Sequence, residues 1–103
     1  MRPIHKESVQ KELNKYVGKN SYIHVEVIPG GFVRNANITL LKAFIAEDES
    51  YRIALKIEHN GWIRVEGITD YEVDHEGRLL LAGHDPLGRL MSALQLSSVP
   101  FSK

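Results

Sequence analysis

The chain contains no cysteine. Disulfides, thiolate metal sites and cysteine nucleophiles are therefore excluded. It has no excess of either charge: Lys plus Arg is 13, Asp plus Glu is 13, and the pI is about 7.0. The global positive charge that holds non-specific nucleic-acid binders to phosphate is missing. No apolar run approaches the ~20 residues of a membrane-spanning helix. The start, Met1 to Glu7, is charged and leads into no apolar stretch. No secretory signal and no membrane contact are expected, and cytoplasmic residence is. Pro29-Gly30-Gly31 lacks the helix and lysine of a phosphate loop, and no Gly-x-Ser-x-Gly is present.

What is present suits one folded unit. Hydrophobic residues make up 43% and charged residues 25%, which is ordinary for a globular chain and unlike a disordered one. At 103 residues and 11.7 kDa, a single β-rich domain over residues 1–103 is expected. Area scaling gives a folded surface of about 5,900 Å² against about 17,000 Å² for the open chain. That leaves enough burial for one core without covalent staples.

Val9, Leu13, Tyr16 and Val17 share one helical stripe, with the charges of this segment lying away from it. Gly18 can take the left-handed conformation that stops a helix. The spacing predicts a helix near 5–17, with Ser8 as one candidate cap and Pro3 as a sign of an earlier start. From residue 21 to 97 the period is that of strands. Ile23, Val25 and Val27 alternate with His24 and Glu26; Tyr51, Ile53, Leu55 and Ile57 alternate with Arg52, Ala54, Lys56 and Glu58. Asn60-Gly61 is a hairpin signal, because both residues tolerate positive φ. Asp85-Pro86-Leu87-Gly88 has the residues of a type I turn. Arg34-Asn35-Ala36-Asn37 reads as a polar turn between Phe32-Val33 and a long apolar strand, Ile38–Ile45. The expected fold is mainly β: an antiparallel barrel-like or sandwich domain with one N-terminal α-helix.

Formal charge is uneven along the chain. Residues 1–20 carry net +3 through Arg2 and four lysines against Glu7 and Glu12. Residues 58–76 carry net −5, with Arg64 the one cation. Such blocks can steer a partner, or they can be two solvated faces. Because aromatics and bases are not interleaved along the acidic segment, no nucleic-acid partner is expected.

The candidate binding residues are His24, Glu26, Trp62, Glu66, His84 and Gln95. His24 and Glu26 leave one face of a strand, a usable pair for acid–base work or a groove. His-x-Glu alone does not make a metal site, and the simpler reading is a solvated pair. Trp62 shares parity with Arg64 and Glu66, which suits a stacking platform or an edge tryptophan packed across the hairpin. His84 ends a strand beside a turn whose first residue, Asp85, already has a structural role. Asp70-x-Glu72-x-Asp74-x-Glu76-Gly77 invites a calcium reading, but the sixth and twelfth positions are His75 and Leu81, where a calcium loop needs Gly and Glu. No metal, cofactor or catalytic residue is assigned.

Three groups of segments together resemble the YojF-like family of small bacterial proteins. They are Tyr22–Glu26 with Phe32–Ala36, then Gly61–Gly67, then Glu76–His84 with Ala93–Ser97 and Pro100-Phe101. The resemblance covers nearly the whole chain. It implies a mostly-β, barrel-like domain with an N-terminal helix, and no defined activity or catalytic residues. It also implies an association with a zinc-dependent deacetylase that acts on a sugar–malate conjugate in bacillithiol synthesis. Relatives resemble this chain with a longer loop where it has only Ile28-Pro29-Gly30-Gly31.

Two readings of function follow. One is a non-catalytic cytoplasmic accessory protein partnering that deacetylase. The other is a small-molecule binder or enzyme with its pocket in the mouth of a β-barrel, built from the six candidates. Ile38–Ile45 is apolar at both parities, so a homodimer that buries it is expected, against a monomer in which the N-terminal helix covers its second face.

Overall fold

The computed structural model describes residues 1–48 and 50–102. The elements run β1 (Arg2–Pro3), α1 (Lys6–Asn14), β2 (Asn20–Val27), β3 (Gly31–Ala46), β4 (Tyr51–Ile57), β5 (Gly61–Ile68), β6 (Asp70–Val73), β7 (Leu79–His84) and β8 (Leu90–Ser97). All eight strands join one antiparallel sheet in the order β1-β6-β7-β8-β2-β3-β4-β5. The mainly-β expectation holds, with the single helix at the N-terminal end.

The sheet curls because of β3. Its first half pairs with β2 and its second half with β4. Two extra residues bend it. Ile23 faces Ala36 while His24 faces Arg34, so Asn35 has no partner and sits at φ 59°. Leu40 faces Ile57 while Lys42 faces Lys56, which leaves Leu41 unpaired. Each bulge adds local twist. The β4–β5 half therefore swings across β7 and β8, and Ser92 Oγ donates to the Glu66 carbonyl at 3.5 Å. Contact there is so close that a Cβ on Gly83 would run into the Gly67 carbonyl oxygen and Ser92 Oγ. β1 and β5 remain the two edges, so the barrel-like sheet does not close.

The polar turn expected at Arg34–Asn37 is instead continuous strand. Asparagine tolerates positive φ and its amide can replace backbone partners, so a bulge accommodates the polar tract without breaking the ladder. The second bulge resets the parity of the apolar run. Leu40, Ala43 and Ile45 face the core, whereas Leu41 and Phe44 stay 44% and 46% exposed. The N-terminal helix is not the cover of this strand's outer face: α1 guards the edge of β3 instead. Past Thr39, β3 has no β2 partner, and its edge groups are met elsewhere. Gly18 N–H donates to the Leu40 carbonyl at 2.7 Å and Leu40 N–H to the Lys19 carbonyl at 3.2 Å. The Gln10 amide donates to the Ala43 carbonyl at 2.9 Å and accepts from Ile45 N–H at 3.0 Å. One glutamine thus imitates a neighbouring strand.

α1 is shorter than the expected 5–17. His5 caps it, its Nδ1 accepting from Ser8 N–H at 3.3 Å, so the cap lies before Ser8. Pro3 belongs to β1 opposite Asp70. Turns carry the chain from Asn14 to Gly18, whose φ of 82° fits the expected stop. Val9 and Leu13 are fully buried against Ile23, Leu40, Leu94 and Leu96 in the same core. The β4–β5 hairpin forms, but His59 and Asn60, both at φ 62°, are its positive-φ residues, one place earlier than Asn60-Gly61. Gly61 opens β5, where a Cβ would meet Ile57 Cγ1 at 2.7 Å.

Candidate functional site

The six candidate residues lie in three places. His24, Glu26 and Gln95 share the outer face of the β8–β2 pair, with His24 directly opposite Gln95. On its other side His24 faces Arg34 of β3. Arg34 Nη1 donates to His24 Nδ1 at 3.3 Å. Since a guanidinium only donates, the histidine proton belongs on Nε2, which lies 3.6 Å from Glu26 Oε1. His24 is only 8% exposed. The rings of Phe32 and Phe101 lie 6.2 Å and 6.4 Å from it. The solvated pair expected from sequence is thus a covered histidine held between an arginine and a carboxylate.

The cover is the C-terminal tail. Phe101 is 4% exposed and lies beneath two guanidinium groups, those of Arg34 and Arg78, 5.3 Å and 5.7 Å from its ring centre. Arg34 also donates to the Ser102 carbonyl through Nε at 3.1 Å and Nη2 at 2.6 Å. Asn35, the bulge residue, clamps the backbone of Phe101 from the other side: its amide donates to the Phe101 carbonyl at 2.8 Å and accepts from Phe101 N–H at 2.6 Å. Arg34, Asn35 and Phe101 are the residues that the sequence reading missed. A polar tract inside a strand gives no local signal of what it binds.

His84 stands at the end of β7. Its Nδ1 donates to Asp70 Oδ2 at 2.6 Å, and the Thr69 hydroxyl donates to the same oxygen at 2.8 Å. His84 N–H in turn donates to Thr69 Oγ1 at 3.0 Å. Burial pushes the Asp70 carboxyl up, but the Thr69 and His84 hydrogen bonds and nearby positive charge outweigh it and hold the group below its ordinary range. A hollow of about 500 Å³ bounded by Met1, Asp70, His84 and Gly88 opens beside the pair.

Trp62 and Glu66 stand on the outer face of β5. Trp62 is 56% exposed, with Lys56 Nζ 5.9 Å from its ring centre. Glu66 accepts from Arg52, Nη2 to Oε1 at 2.8 Å and Nε to Oε1 at 3.0 Å. A hollow of about 440 Å³ is lined by Arg52, Ala54, Trp62 and Arg64. The fold therefore does not bring the six candidates into one barrel-mouth pocket. Among the described residues, no three His, Asp or Glu side chains gather as a metal-binding group.

A fourth surface is apolar. Val27, Phe32 and Val33 at the β2–β3 hairpin end are 52%, 66% and 51% exposed. With Val25, Pro29 and the hairpin glycines they line a hollow of about 420 Å³. Ile28 N–H donates to the Met91 carbonyl at 2.9 Å, which brings two more exposed apolar side chains to the same end.

The model of the family described as "Protein of unknown function (DUF1806)" matches residues 3–101. The chain belongs to that family. It is 41% identical to the uncharacterised protein YojF of Bacillus subtilis (strain 168), over 99% of both chains. The crystal structure of the Bacillus subtilis YojF protein matches with a TM-score of 0.92 and 43% identity, over 99% of this chain and 97% of that one. The YojF-like resemblance read from the segments is thereby shown. The YojF alignment spans 116 residues and this chain has 103, so the DUF1806 relative holds residues without a counterpart here.

No helix among the described residues is long and apolar enough to cross a membrane.

Proposed function

We propose that this protein is a non-catalytic accessory protein of the cytoplasm whose partner is a zinc-dependent deacetylase of bacillithiol synthesis. The apolar surface at the β2–β3 hairpin end is the observation that carries the accessory role. Val27 and Val33 project beside half-buried Val25 from one face of the hairpin, while Phe32 and Met91 lie on the other face, and all but Val25 are exposed. Contiguous apolar surface on a small domain costs solubility and is characteristic of a docking site. Aromatic and branched side chains around a shallow hollow are the material of interface anchors. The partner's identity rests on the family resemblance. The same reading includes self-association through the uncovered edge of β5.

Co-purification tests the proposal. Tagged protein drawn from its native host is expected to bring the deacetylase with it, and a deletion strain to show a lowered bacillithiol level. Val33→Asp, which places a charge beside Val25 and Val27 on that face, is expected to abolish recovery without unfolding the chain, because the side chain is 51% exposed. Absence of the enzyme from the recovered material, together with unchanged thiol levels, overturns the proposal.

A further inference from the structure

We propose that the outer face of β3, β4 and β5 binds single-stranded nucleic acid. This goes beyond the accessory role and uses a different surface. Strand pairing arranges the face as a grid. One row across the strands is Lys42, Lys56 and Trp62; the next is Phe44, Ala54 and Arg64. Arg52 follows beside Ala46. An aromatic and a cationic side chain therefore follow one another along β3 (Lys42, Phe44) and along β5 (Trp62, Arg64), with Lys56 and Arg52 between them on β4. Single strands are held on such surfaces, the bases stacking on rings and the phosphates meeting cations.

Four observations favour this occupant. Trp62 and Phe44 are 56% and 46% exposed, so their rings are open to stacking. From strand spacings of about 4.8 Å and alternate-residue steps of about 6.8 Å, their backbone positions lie about 12 Å apart. A polymer crossing the sheet spans that distance, whereas a single nucleotide reaches only one ring. Among the described residues, Lys42, Lys56 and Arg64 have no carboxylate in ion-pair contact, and Glu66 is engaged by Arg52. Lastly, small Ala54 leaves the central hollow that receives a base beside Trp62 and Arg64. A duplex hides its ring faces inside the stack and offers nothing to the two aromatics. An acidic peptide supplies charge but no flat rings for them.

The sequence excluded nucleic acid because residues 58–76 are net acidic. The fold separates that segment. Glu58 lies in the β4–β5 turn, while Asp70, Glu72, Asp74 and Glu76 belong to β6 and its following turn, near the opposite edge of the sheet. Lys42 and Lys56 arrive on the face from strands outside the acidic segment.

Trp62 is the only tryptophan, so its emission reports directly on the face. The unmodified protein is titrated with a deoxythymidine oligonucleotide of about a dozen residues at about 50 mM and about 200 mM salt. Saturable quenching is expected. Three phosphate contacts give a salt slope near −2, so affinity is expected to fall roughly 20-fold between the two conditions. Arg64→Ala is expected to reduce that slope by about 0.7. Phe44→Ala is expected to weaken binding about ten-fold, as loss of one stacking platform does. Trp62→Phe, followed by anisotropy of a labelled oligonucleotide, is expected to retain binding. All three side chains are largely outside the core, and the salt slope of the unmodified protein decides the matter if any variant misfolds. Absence of quenching overturns the proposal. So does equal affinity for the duplex, for thymidine monophosphate or for polyglutamate, each of which assigns the face to another occupant. Co-purification of the deacetylase is independent of every one of these results.

Discussion

Asn35 and Phe101, 66 residues apart, exchange two hydrogen bonds: the Asn35 amide donates to the Phe101 carbonyl at 2.8 Å and accepts from Phe101 N–H at 2.6 Å. A side chain thus performs the work of a paired strand and fastens the C-terminal tail over His24. Asn35→Gly keeps the positive φ but removes the clamp, leaving two partly buried backbone groups unpartnered. It is expected to cost about 1–3 kcal/mol. Asn35→Ala adds roughly 1 kcal/mol or more of left-handed backbone strain. Urea unfolding of both variants measures the difference, and a glycine variant as stable as the parent shows that the clamp contributes nothing.

Phe101→Ala is expected to uncover His24. Loss of a buried phenylalanine costs about 3 kcal/mol. The imidazole ring resonances of His24 should shift as Phe101, 6.4 Å away, is removed. Proton NMR of the five histidines, compared before and after substitution, checks this. An unchanged His24 signal means that the tail is not its cover in solution.

Acid stability follows from Asp70 and Asp74. Burial pushes Asp74 up, but it accepts from Arg78 N–H at 2.9 Å, from Arg78 Nε at 2.7 Å and from Glu76 N–H at 2.9 Å, and its carboxyl lies below the ordinary value, as Asp70's does. A carboxyl depressed in the folded state favours folding above its unfolded value, near 3.8. That contribution is lost as pH falls from there through the folded value. Thermal midpoints are therefore expected to hold from neutral pH to about pH 5 and to drop steeply below about pH 4. Asp74→Asn is expected to lower the neutral-pH midpoint and flatten the acid limb, which differential scanning calorimetry resolves. A limb as steep as the parent's removes Asp74 from the account.

Gly83→Ala is expected to be severely destabilising, by about 3 kcal/mol, the upper range of overpacking. The added methyl meets the backbone oxygen of Gly67, which cannot rotate away. Gly31→Ala, where the methyl meets nothing within 4 Å, serves as the control and is expected to stay within about 0.5 kcal/mol of the parent. Comparable denaturant midpoints for the two variants contradict the close crossing of β5 over β7.

Self-association is expected through β5, whose outer edge pairs with no strand among the described residues. Sedimentation at low micromolar concentration should give twice 11.7 kDa. Pro at position 64 blocks an edge N–H or strains the strand, so Arg64→Pro is expected to return the mass to 11.7 kDa. A single-chain mass for the parent removes the dimer.

Local chemistry was readable where it acts over a few residues. Tyr51 to Glu58 alternates, and that alone gives β4, because a strand sends successive side chains to opposite faces. Asp85-Pro86-Leu87-Gly88 turns as expected: Asp85 Oδ1 accepts from Leu87 and Arg89 N–H, both at 2.9 Å, and Oδ2 from Arg89 Nε at 2.7 Å. Asp74 repeats that arrangement with Arg78. The pattern Asp-x-x-Gly-Arg occurs at both turns and was available in the sequence, hidden under the failed calcium reading.

The amino-acid sequence by itself determined the helix stripe of Val9 and Leu13, the strand periods, the turn residues, the exclusion of thiol chemistry and the family. These depend on composition and on neighbours within a turn or a strand step. Only the tertiary structure decided that Arg34 and Asn35 lie within a strand, that His24 is covered, and that Lys42, Phe44, Lys56, Trp62 and Arg64 share one face. Register and bulges set those relations. One unpaired residue such as Asn35 or Leu41 reverses which face every later side chain occupies, and that choice is made by partners tens of residues away.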